Sequence, residues 1–271
     1  MEGLSQSFSD PLFCRSLAAG ALIAVCAGLI GINLVLRHYA MLSDGLTHVG
    51  IGAMSVAVFL HWAPIWFTMV VCVVAAILLL RLSERGVIRS DSGIALMTAS
   101  ALAIALVLTQ FSGGSEDQFE DFLFGDMLSL SSLDLALAAL LCLCVIATFL
   151  LCYRKFLSIT FDATFARACG IKVGRYNTLL AVLAAVTVVL GMRLLGGLLM
   201  SAVIIFPALA GMQLIHNYKV LTIFTALYAL ACFVGGMLVS ALLGLSCGAC
   251  VVLVNLVCLL ACFAIKHLRQ V

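Results

Sequence analysis

The sequence predicts an all-α, polytopic integral membrane protein of about eight to nine spanning helices, forming a single transmembrane domain over residues 1–271. Three observations carry this. The chain is 65% hydrophobic and 10% charged, with a mean hydropathy of +1.28, so lipid must be its main solvent. Nine apolar runs approach the roughly 20 residues a helix needs to cross a hydrocarbon core of ~30 Å with every backbone group bonded internally. The basic residues gather in alternate connections, as expected of cytoplasmic loops.

The first run, 16–36, follows acidic Glu2 and Asp10 instead of a basic leader, and no A-x-A-like site comes after it; it reads as a mature helix. The second, 41–60, opens on Met41-Leu42-Ser43-Asp44-Gly45-Leu46-Thr47-His48. Runs 63–81 and 93–111 lead to a long outer connection, 112–133, carrying Glu116, Asp117, Glu120, Asp121 and Asp126 among Phe119, Phe122 and Phe124. It reads as short interfacial helices broken at Gly125, whose acids are solvated charges or a landing place for a cation delivered from outside.

The fifth run, 134–153, enters an inner connection, 154–176. There Thr160-Phe161-Asp162 looks like a helix start with a capping side chain, and Ala163 to Cys169 a short helix stopped by Gly170. Phe161 and Phe165 share a side between basic flanks, which suits either a cytoplasmic surface helix or one that docks into a partner's groove. Runs 177–193 and 195–213 follow, the second interrupted by Pro207, which removes a backbone bond and sets either a hinge or a fixed bend. Runs 219–243 and 247–265 complete the nine.

An external N-terminus places Arg37, Arg81, Arg85, Arg89, Arg154, Lys155, Arg167, Lys172, Arg175, Lys219, Lys266 and Arg269 inside, 12 of the 14 basic residues, and leaves only Arg15 and Arg193 outside. The C-terminus is then cytoplasmic. A net charge of +2 strung along inner loops offers no face for nucleic acid. No nucleotide-binding G-x-x-x-x-G-K-[ST] occurs, so any ATP hydrolysis belongs to another subunit and the chain is not itself an enzyme. Ser201 lacks the G-x-S-x-G setting of a nucleophile, which argues against an intramembrane protease. Most of the 12 cysteines lie in apolar runs as small hydrophobes, and Cys247 with Cys250 reads as a packed pair before a metal or redox one.

Asp44 and His48 stand four residues apart, on one helix face. A central Asp costs ~2.5–3.5 kcal/mol on insertion scales, so an ionisable residue in a span usually faces a cavity or pathway. Asp44 is the acid expected inside a span. A carboxylate with an imidazole suits a borderline divalent ion such as Zn²⁺ or Mn²⁺, and equally an Asp–His hydrogen bond that only packs helices. The residues leave both readings open. Two ligands cannot complete a site; the others would come from other helices, a second copy or water. His38, His61, His216 and His267 fall near span ends and read as ordinary interfacial side chains.

The chain resembles the zinc and manganese permease family of ATP-binding-cassette importers, nearly end to end. The resemblance lies in Arg37-His38-Tyr39-Ala40-Met41-Leu42-Ser43-Asp44-Gly45-Leu46-Thr47-His48, Phe122 to Leu128, Phe161 to Gly170, and Leu195-Gly196-Gly197-Leu198-Leu199 through Pro207, in that order. It departs at Thr47-His48-Val49, where Ser-His-Ala is common, and at Ala210-Gly211-Met212-Gln213, where an Arg is usual. It implies that Asp44 and His48 line a metal path and that Phe161, Asp162, Phe165, Ala166, Arg167 and Gly170 form a coupling helix on a cytoplasmic ATP-binding subunit. It further implies an extracellular or periplasmic metal-binding protein, a second permease copy and a multi-pass place in the lipid of a bacterial cytoplasmic membrane. The cargo would be a divalent metal, zinc first, with manganese or iron also suited, and no cofactor would be held permanently. An ion-gradient-driven transporter and a permease for a metal chelate are the competing readings.

Overall fold

The computed structural model describes residues 11–84, 86, 89–111 and 132–270, and among these it is all-helical. Ten helices follow one another: α1 Pro11–Leu36, α2 Leu42–Phe59, α3 Pro64–Glu84, α4 Ser90–Phe111, α5 Ser132–Phe161, α6 Ala163–Ala168, α7 Val173–Leu195, α8 Gly197–Leu214, α9 Tyr218–Leu243 and α10 Cys247–Gln270. Eight are long and apolar enough to cross a membrane, and the apolar Leu199–Leu214 stretch of α8 is a shorter ninth. The outer connection expected at 112–133 lies outside the described residues except for its last two.

The boundaries depart from expectation at the Arg37 end of the bundle. The expected 154–160 loop is instead the last two turns of α5, a single helix of 30 residues. No Gly or Pro interrupts Arg154 to Phe161, and Phe156 and Ile159 are buried on the bundle side. α7 begins at Val173, so α6 is held by two short connections. α3 and α10 likewise run past their apolar runs to Glu84 and Gln270.

Two helices end in a way the sequence did not announce. Beyond α1, the Tyr39 N–H donates to Leu34 O and the His38 N–H to Val35 O, with His38 at φ +61°. Beyond α2, Trp62 and His61 bond Ala57 O and Val58 O in the same way, with His61 at φ +54°. Both are Schellman stops with histidine in the left-handed position that glycine usually takes.

α1 and α7 are the interior members, with 72% of each membrane window buried, and α8 packs between α1 and α10. α1 also packs on α5 and α9, α2 on α3 and α4, and α3 on α7. Small residues permit the closest approaches: a Cβ at Gly31 would lie 2.1 Å from the Ile204 carbonyl oxygen of α8, and one at Gly52 2.8 Å from the Ala101 carbonyl oxygen of α4. α3 shows how the outer surface meets lipid. Trp66, Val70, Val74 and Leu78 form an exposed stripe at four-residue spacing that ends near exposed Arg81. Trp66 to Arg81 spans about 22 Å, an aromatic anchor at one interface and a cation at the other.

Candidate functional site

On α2, Gly45 and Gly52 lie against Ile94 and Ala101 of α4, and Gly50 against Met192 and Cys72. Those contacts bury most of the helix and leave Asp44, His48 and Ser55 half-buried on one face. His48 Nε2 lies 3.9 Å from Asp44 Oδ1, with the two side chains 19% and 41% exposed. That is too long for a hydrogen bond, so the pair does not satisfy itself. His48 Nδ1 is buried without a partner. Asp44 occupies the first turn of α2, where the positive end of the helix dipole favours a carboxylate. Among the described residues no group of three or more His, Cys, Asp or Glu side chains is placed to hold a metal, so within them the pair stands as two donors.

The expected docking segment is a built structure. Asp162, extended at φ −149°, caps α6 by accepting from the Thr164 N–H at 2.8 Å and the Phe165 N–H at 2.9 Å. Ala166 is fully buried with Ile159 and Val173, pinning α6 to α5 and α7. The Gly170 N–H donates to Arg167 O and the Ile171 N–H to Ala166 O, a Schellman stop in which Gly170 takes φ +81°. Phe161 belongs to the end of α5, not to α6. Phe161 and Phe165 are 67% and 62% exposed, with Arg167 exposed on the same short helix as Phe165 and the Phe161 ring edge-on to Tyr218, a polar-ended stretch on which two large aromatic rings stand open.

Pro207 is buried inside α8, and the helix runs through it. The chain turns sharply before it at Gly196, φ +90° and ψ 152°, the one residue between α7 and α8. A side chain would be strained there, so the geometry depends on glycine at this position.

A polar network went unread in the sequence. Arg37, just past α1, donates through Nε to Thr160 Oγ1 at 3.2 Å and through Nη1 to Asn177 Oδ1 at 2.5 Å. Asn33 Oδ1 accepts from the Thr160 hydroxyl at 3.0 Å and the Tyr218 hydroxyl at 2.9 Å, and Asn177 Nδ2 donates to Glu84. The cluster joins α1, α3, α5, α7 and α9, and its Thr160 directly precedes Phe161 and Asp162. Burial pushes the Arg37 pKa down, against the pull of Tyr218, Tyr39 and Glu84. Arg37 Nη2 and Asn33 Nδ2 lack partners. Asn33, four residues before Arg37 within an apolar run, was the available signal. At the opposite end Arg193 donates to Asp134 at 2.6 Å, with Asp134 only 6% exposed. Asp44 is therefore not the only acid in a spanning helix, and Arg193, left outside by the charge rule, has a local reason to be there.

The model of the ABC 3 transport family matches residues 9–266. The manganese transport system membrane protein MntC of Halalkalibacterium halodurans is 26% identical over 89% of this chain and 82% of its own. The high-affinity zinc uptake system membrane protein ZnuB of Haemophilus influenzae is 22% identical over 88% and 91%. Among solved structures, PsaBC from Streptococcus pneumoniae in complex with Fab superposes with a TM-score of 0.84 at 22% identity, covering 97% of this chain and 94% of that one.

Proposed function

The chain belongs to the ABC 3 transport family, and from that premise we propose that it is the membrane-spanning permease of an ATP-driven bacterial importer for a divalent metal cation. One observation carries the reading above the others. Asp44 and His48 present an unbonded carboxylate and imidazole on the half-buried face of α2. Two copies of the chain would bring two oxygens and two nitrogens to a shared path. That set is near the four ligands Zn²⁺ prefers, and serves Mn²⁺ or Fe²⁺ with added water. Zinc is our first assignment, and the relatives named for manganese and zinc support the class of cargo.

The rest of the machine follows from the two ends of the bundle. The capped helix α6, with Phe161 and Phe165 exposed beside Arg167, is the surface for a cytoplasmic ATP-binding subunit, which supplies the hydrolysis. The opposite end receives metal from an extracellular or periplasmic binding protein. The N-terminus is outside and the C-terminus inside. Closure of the ATPase pair rocks the helices so that the Asp44 and His48 face opens alternately to each side, with Pro207 in α8 as a bend about which that helix adjusts.

Uptake of radiolabelled zinc and manganese into proteoliposomes holding the permease and its ATPase tests this. Uptake should need ATP and should fall at least tenfold in Asp44→Ala and in His48→Ala, with both proteins still assembled. Equal uptake in both variants would sink the site. Uptake by the permease alone, driven by an ion gradient, would replace the ATP-driven reading with a secondary transporter.

A further inference from the structure

Several basic side chains at the Arg37 end are separate: Arg37 is bonded inside the bundle, Lys266 donates to Gln213, and Arg81 stands at the end of the α3 stripe. Three others converge. Lys155 of α5, Lys172 just before α7 and Arg175 within it line a single cavity of about 450 Å³, together with Tyr176, Ile171 and Leu179. Lys155 Nζ is held 5.1 Å from the centroid of the Tyr176 ring. None of the three cations forms an ion pair with a described residue. A positive-inside bias explains their side of the membrane but not their arrival in one pocket.

The pocket is amphipathic in the direction a lipid requires. Its cations lie at the ends of α5 and α7 on the Arg37 side, while Leu179, one turn further along α7, gives it an apolar wall toward the spanning part of the bundle. On the same face of α5 as Lys155, Leu151 is 83% exposed, and Cys144 and Leu140 continue that face a further two to three turns toward the other side. We propose that this cavity binds the headgroup of an anionic phospholipid of the inner leaflet: Lys155, Lys172 and Arg175 take the phosphate, and an acyl chain lies along the Leu140–Leu151 face of α5. Basic pockets between spanning helices on the cytoplasmic side are the usual form of such sites. An acidic loop of the ATPase could neutralise the same cations, but it would leave Leu179 and the bare strip above Lys155 unused.

The site adjoins Gly170, the stop of α6, so an occupied pocket would brace the C-terminal end of the docking helix. This assignment is independent of the cargo, and its test reads lipid, not metal. The full-length permease, assembled with its ATPase in nanodiscs of mixed phosphatidylglycerol and phosphatidylcholine, is released and its retained lipids are counted by native mass spectrometry. One phosphatidylglycerol per permease should persist in preference to phosphatidylcholine. Each of Lys155→Gln, Lys172→Gln and Arg175→Gln should weaken that preference about fivefold, at about 1 kcal/mol per cation near the surface. The triple variant should abolish it, and Arg81→Gln should leave it unchanged. These positions are exposed, so the variants keep the fold. No preference in the parent, a preference that survives the triple variant, or an equal loss in Arg81→Gln would each overturn the proposal. So would a triple variant that keeps its lipid but releases the ATPase, which would assign the pocket to an acidic protein segment.

Discussion

Replacing Arg37 with Met should destabilise the protein by about 3 kcal/mol. The guanidinium makes two hydrogen bonds, to Thr160 and to Asn177, and bonds involving a charged group contribute about 1.5–3 kcal/mol each. Against that gross loss of about 3–6 kcal/mol stands the relief of a buried cation and its orphan Nη2, so the lower end is the net expectation. Met keeps the aliphatic stem of Arg37 and removes only the guanidinium, so the change falls on the hydrogen bonds and the charge more than on packing. Arg37→Lys retains the charge but cannot reach both acceptors, and should fall between. Thermal unfolding of the detergent-solubilised chain reads the effect: about 3 kcal/mol corresponds to roughly 6–12 °C for a chain of this size. The control Arg81→Gln, on an exposed lipid-facing stripe, should move the midpoint by no more than about 1 °C. A double-mutant cycle with Asn177→Leu should return a coupling energy of about 1–2 kcal/mol. An unchanged midpoint in Arg37→Met, or strict additivity with Asn177→Leu, would refute the claim that this network ties the helices together.

Other substitutions separate docking, strain and packing. Phe165→Ser should weaken binding of the ATP-binding subunit by at least tenfold in a pull-down titration while leaving the unfolding midpoint unchanged, because that ring is already 62% exposed. His38→Gly should stabilise the fold by about 1 kcal/mol, since glycine takes the left-handed stop of α1 without Cβ strain; a lowered midpoint would count against that account. Gly31→Val should cost about 3 kcal/mol or more, because even its Cβ would sit 2.1 Å from a backbone oxygen of α8, and recovery of normal folding yield would deny the close α1–α8 contact.

The spanning helices were legible because each is a long apolar run, and the signals around α6 were legible because they are local. Asp162 and Gly170 lie in sequence beside the atoms they cap. What could not be read was anything decided by partners far along the chain. Arg37 looked like one more inner-loop cation, yet its acceptors are Thr160 and Asn177, more than a hundred residues away. Arg193, an exception to the charge rule, is bonded to Asp134, 59 residues before it in the chain. Pro207 reads from sequence as a hinge or bend inside the run 195–213, and α8 continues through it; the turn between α7 and α8 is made at Gly196, at a positive φ that a side chain would resist and that no local pattern announces. The loop expected at 154–160 failed for a related reason: basic residues mark where a span leaves lipid, not where its helix stops.

The same distinction bears on Asp44. A carboxylate at the centre of a span is expensive, and the chain reduces that cost by placing it in the first turn of α2, where backbone N–H groups have no helical acceptor. A merely structural pair would then close to hydrogen-bond distance. Here Nε2 and Oδ1 stay 3.9 Å apart, and Nδ1 is buried without a partner. An unmet buried nitrogen carries a desolvation cost of about 1–3 kcal/mol, which packing alone gives no reason to keep. A water, a cation or a second copy of the chain would recover it. The place of Asp44 in the first turn, the glycines that hold α2 against α4, and the half-buried face shared by Asp44 and His48 thus belong to one arrangement: a helix fixed on its packed side with its polar residues gathered on the other.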